Sequence, residues 1–140
     1  MNTVKALNML KEICRKNKIK LDLKINKDYR KEETWESSVT SIYYPFAIRV
    51  MATNDFEGTM ILAHELGHVL TGGMYARTWS QEVIDNEFRA SRWALRFLWK
   101  NKVRGRRFKA VKLTCRECLK SYKDAVAEYS DIRSKEFSSS

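Results

Sequence analysis

The chain has 140 residues, 44% of them apolar and 31% charged, which sets aside a disordered tail or a collagen-like fibre and leaves one globular domain over residues 1–140 as the expectation. Lys plus Arg outnumber Asp plus Glu by 27 to 17, a formal charge of +10, which suits a polyanion or an acidic partner. No apolar run nears the roughly 18 residues that cross a bilayer, and residues 1–20 lack a signal-peptide layout, so a cytoplasmic protein without membrane contact is expected.

Val4, Leu7, Met9, Leu10, Ile13 and Cys14 recur at helical spacing between basic residues, which predicts an amphipathic helix over residues 3–16. Ile19, Leu21, Leu23 and Ile25 then alternate with Lys18, Lys20, Asp22 and Lys24, the period of a strand with one wet face. After a polar connection, residues 39–44 and 46–51 read as β-rich segments around Pro45, the only proline. Since proline cannot donate to a ladder, this region is expected at a sheet edge or bend, where residues 46–51 could bind an extended peptide by strand addition.

Asn54 or Asp55 can cap a helix running to Leu70, stopped by Thr71-Gly72-Gly73. Its middle, Met60-Ile61-Leu62-Ala63, is apolar on every face, so the helix is expected to be central and buried. A third helix is expected over about 80–99, and a fourth over about 113–129, after a basic connection at 100–112 and before a frayed tail. The three cysteines, Cys14, Cys115 and Cys118, are expected as reduced thiols.

Inside the central helix stands His64-Glu65-Leu66-Gly67-His68, an H-E-x-x-H sequence. Residues i and i+4 lie one above the other on a helix, so both imidazoles can converge on one Zn²⁺ with Glu65 beside them. Glu65 is then placed as general base toward a zinc-polarised water and as acid toward the leaving amine. The bland reading, two satisfied histidines in a chance match, is the alternative.

The chain has no third histidine, so a third ligand must be an acid or a cysteine. On a helical wheel at about 100° per residue, Val83, Ile84, Ala90, Ser91, Ala94 and Leu98 all lie within about 60° of Glu87. Glu82, Asp85, Arg89, Arg92 and Arg96 face elsewhere. A carboxylate centred on an apolar stripe needs a partner: metal is one, and an ion pair with Lys100 or Arg49 is the other. Cys115 and Cys118, half of a zinc knuckle without its second pair, read more simply as part of a packing face with Leu119 and Tyr122.

The run Ile61-Leu62-Ala63-His64-Glu65-Leu66-Gly67-His68-Val69-Leu70, followed by Asn86-Glu87-Phe88-Arg89-Ala90-Ser91-Arg92-Trp93-Ala94, resembles the ImmA/IrrE-type metallopeptidases, a zincin family common in bacteriophages and mobile elements. The resemblance spans roughly residues 46–100. It implies an α+β zincin-like domain, with a short sheet packed on the H-E-x-x-H helix and two helices following, and Glu87 as third ligand. Ser91 stands where the family usually has Asn or Asp supporting the metal site from behind its ligands, and its shorter reach puts full metal affinity or activity in question. The Leu-Met-Pro sequence that often ends that helix is replaced by Phe97-Leu98-Trp99-Lys100. The implied activity is zinc-dependent endopeptidase action on a protein substrate such as a helix-turn-helix repressor.

Residues 100–112 carry seven basic side chains and no acid, and residues 5–31 form a second basic stretch; such runs track phosphates or recruit acidic segments, although a solvated face is their commonest meaning. Tyr75 is a candidate donor to an oxyanion, or a packing lid. The alternative function is a non-catalytic basic regulatory protein that grips a repressor or DNA, with a structural or vestigial zinc site.

Overall fold

The computed structural model describes residues 2–28, 38–39, 46–72 and 80–138. The architecture is α+β, with helices α1 (Asn2–Lys16), α2 (Asp55–Thr71), α3 (Gln81–Lys100) and α4 (Arg106–Ser138), and strands β1 (Lys20–Ile25), β2 (Ser38–Val39) and β3 (Ala47–Ala52). The sheet order is β1-β3-β2. β3 runs parallel to β1, with Leu21 opposite Ile48 and Leu23 opposite Val50, and antiparallel to the two-residue β2.

The expected edge strand is therefore the middle one. Ile48, Val50 and Ala52 are buried at every second position of β3, the pattern of a strand with one face in the core. Pro45, which suggested an edge, precedes the strand and lies, with residues 40–44, outside the described residues. The strand-addition role given to 46–51 falls with this placement.

Helix α2 packs against α1, α3 and β3, which makes it the central helix its all-round apolar middle implied. Asn54 caps it by accepting the Glu57 N–H at 2.8 Å, and Thr53 donates to the Glu57 carboxylate at 2.9 Å. Gly72 ends it at φ +72°, a left-handed conformation that glycine adopts without a Cβ penalty. The main core joins Leu7, Leu10 and Cys14 of α1 to β3 and to Leu62, Ala63 and Leu66 of α2. A second cluster holds Ala6, Leu98, Val103 and Val111 together, with Phe108 packed on it.

The largest departure from expectation is α4, which starts at Arg106 rather than near 113 and runs to Ser138, through the tail expected to fray. Phe108, Val111 and Cys115 recur at spacings of three and four, so the basic run itself carries an apolar stripe that packs into the second cluster. Only residues 101–105 join α3 to α4. Part of that run is used internally: the Arg104 guanidinium lies 4.3 Å from the Trp99 ring and that of Arg107 5.3 Å from Phe56. Among the described residues no helix is long and apolar enough to cross a membrane.

Candidate metal centre

The site forms where the C-terminal half of α2 crosses α3. His64 and His68 stand one turn apart on α2 with ring centroids 4.8 Å apart and planes at 87°. Glu87 projects from the buried stripe of α3, which also contains Ile84, Ala90, Ser91, Ala94 and Leu98. Glu82 and Asp85 are exposed, as the wheel requires.

Each Glu87 carboxylate oxygen faces one imidazole: Oε1 is 2.8 Å from His64 Nε2, and Oε2 is 3.1 Å from His68 Nε2. The two Nε2 atoms are 3.2 Å apart. Neither Lys100 nor Arg49 is the partner; Arg49 faces Asp22 at 3.5 Å. Burial alone would raise the Glu87 carboxyl, but the hydrogen bonds and charges of His64 and His68 hold it down at about 2. A buried carboxylate that stays ionised between two imidazoles can accept from their N–H groups or hold a cation with them.

The donor set fits a small metal ion. Tetrahedral bonds of about 2.0–2.1 Å place ligand atoms about 3.3 Å apart; the two Nε2 atoms are 3.2 Å apart, and one ligand atom from each of His64, His68 and Glu87 lies within 4.8 Å of the others. Among the described residues, His64, His68 and Glu87 are the group that can hold a metal. Two imidazole nitrogens turned toward each other and toward one carboxylate need a proton or a cation between them, because lone pairs otherwise face lone pairs.

Behind His64, Ser91 Oγ lies 3.5 Å from Nδ1, a long contact of the kind a shorter side chain produces. A proton on Nδ1 directed at Ser91 leaves the Nε2 lone pair for metal. Ser91 and Cys115 of α4 line one cavity together with His64 and Glu87.

Glu65 lines the same cavity as His64 and Glu87, a space of about 230 Å³ walled on one side by Met60 and Ile61 and on the other by Val111, Thr114, Cys115 and Cys118 of α4. The two thiols read as packing residues thus border the site, although neither belongs to the ligand group. Burial pushes both thiols up, with the Glu87 carboxylate adding to the effect. Tyr122 belongs to the same neighbourhood: burial raises its phenol, and the charges of Glu87, Cys118 and Glu65 raise it further. Cys115, Cys118 and Tyr122 do form a helical stripe in the sequence, but what that stripe faces is a tertiary fact. Tyr75 lies outside the described residues.

Comparison with protein-family models, with curated proteins and with solved structures found no match.

Proposed function

We propose that the chain is a zinc-dependent endopeptidase of the ImmA/IrrE type, built on a zincin-like domain and acting in the cytoplasm on a protein substrate such as a helix-turn-helix repressor of a phage or mobile element. One observation carries the reading: His64, His68 and Glu87 each bring a ligand atom to within 4.8 Å of the others, beside a cavity that His64, Glu87 and Glu65 line. The motif resemblance supplies the reaction class, and the basic surface suits a DNA-bound substrate.

His64, His68 and Glu87 would hold the ion. Bound there, zinc supplies Lewis-acid polarisation of a carbonyl and of water. Two neutral imidazoles and one carboxylate leave such a site with a net positive charge, which favours charge developing on a carbonyl oxygen. Glu65 takes a proton from water as its oxygen attacks the carbonyl carbon, then passes that proton to the amine nitrogen as the C–N bond breaks. The apolar wall formed by Met60, Ile61 and Val111 receives a substrate side chain. A purely structural site has no use for an acid between its two histidines, and this separates the reading from a non-catalytic basic regulator that grips a repressor or DNA.

The test is Glu65→Gln, which keeps the side-chain shape and removes the base. Zinc-loaded wild type incubated with a proteome-derived peptide mixture should create new termini detectable by mass spectrometry. The variant should retain zinc and create none. Equal cleavage by both proteins, or none by zinc-loaded wild type, contradicts the proposal.

A further inference from the structure

A groove runs between α3 and α4, formed by two adjoining cavities of about 450 and 330 Å³ that share Leu95, Arg96 and Lys112. Its banks carry Arg92, Arg96 and Lys100 from α3 and Lys112 and Arg116 from α4, all exposed, and no carboxylate lines either cavity. Among the described residues none of these five cations is ion-paired with an acid. The floor is apolar, made by Leu95, Phe108 and Leu119, and at its ends Phe88 and Trp99 are each about half exposed, at 49% and 48%.

Five unneutralised cations above an apolar floor describe a ligand with two properties, negative flanks and an apolar face. A nucleic acid backbone satisfies the first and makes no use of the second. An amphipathic helix with Glu or Asp along both flanks satisfies both, lying between two helices as helix-in-groove partners do. The length agrees: Phe88 to Lys100 spans about 18 Å at 1.5 Å per residue, room for about three turns. We propose that the α3–α4 groove is a docking site for an acidic amphipathic helix of a partner protein. The proposal is independent of hydrolysis at the metal centre, whose cavity shares only Ser91 and Cys115 with the lining of the groove.

Fluorescence anisotropy on the full chain at about 0.15 M salt tests it. The probe is a labelled peptide of about 18 residues with Leu along one helical face and Glu along both flanks. Comparators are a scrambled peptide of the same composition and a DNA duplex of about 20 base pairs. The ordered peptide should bind at least about tenfold more tightly than the scrambled one, because scrambling keeps the charge and destroys the face. Arg96→Glu with Lys112→Glu should weaken binding at least about tenfold, whereas Lys11→Glu with Lys16→Glu, an equal charge change on α1, should leave it unaltered. Phe88→Ser should also weaken it, and far-ultraviolet circular dichroism checks that each variant is folded. No binding of the ordered peptide, equal binding of the scrambled one, equal weakening by the α1 variant, or preferential binding of the duplex overturns the proposal.

Discussion

Gly67 of α2 sits against the backbone of Ala90 of α3 so closely that a Cβ at position 67 would lie 2.7 Å from the Ala90 carbonyl oxygen and 3.1 Å from its Cα. Both are main-chain atoms and cannot swing aside. Alanine is ordinarily better than glycine inside a helix by about 1 kcal/mol, so the sign here is set by the clash. Gly67→Ala should destabilise the fold by about 1–3 kcal/mol and, by forcing α2 away from α3, separate His68 from Glu87 and weaken metal binding. Thermal melts and metal titration check both effects. Gly58 is the contrast, since its added Cβ meets the terminal methyl of Ile25 at 3.2 Å; Gly58→Ala should be neutral or stabilising by up to about 1 kcal/mol.

Glu87 makes the metal-free protein acid-sensitive. Its carboxyl lies below the ordinary value of 4.5, at about 2 in the fold, so the stabilisation is fully present above pH 4.5 and is lost as pH falls toward 2. Across that window wild type should lose about 3 kcal/mol relative to Glu87→Gln. Urea unfolding of both proteins, at pH steps through the interval and without metal, measures the difference; parallel curves would contradict it.

Ser91 reaches His64 Nδ1 only at 3.5 Å. Support of a ligand from behind is commonly worth about 10–100-fold in metal affinity, and so long a contact belongs at the low end. Ser91→Ala should lower affinity about tenfold or less, as read by competition with a chelator.

The thiols should separate by reactivity. Cys14 is buried in the main core and burial pushes its thiol up to about 11, whereas Cys118 is exposed and Cys115 half-buried. Thiolate is the reacting form. Iodoacetamide on native protein should modify Cys118 first, Cys115 more slowly and Cys14 only after unfolding, as peptide mapping would show. For Cys14 the neutral form is favoured in the fold, so stability is unaffected below pH 9 and falls as pH rises from there toward 11.

Much of this arrangement is legible in local pattern. The capped α2 follows from Asn54, its apolar middle and Gly72, and the placement of Glu87 follows from the apolar stripe of α3, because both depend on periodicity alone. Three features depend on partners distant in sequence. The central position of β3 requires knowing that β1 pairs with it across residues 26–46. The early start of α4 is hidden because Phe108 and Val111 are outnumbered by Arg106, Arg107, Lys109 and Lys112. The closeness of Cys115, Cys118 and Tyr122 to the site follows from how α4 crosses α3, which no spacing within α4 encodes.

Zinc content of the purified protein tests the metal centre most directly, with wild type and Glu87→Ala compared after metal-replete expression and identical mild chelation. Three converging ligands predict about one zinc per wild-type chain and its loss from Glu87→Ala. Wild type that retains no zinc, or a variant that retains as much, would contradict the metal centre on which the proposed activity depends.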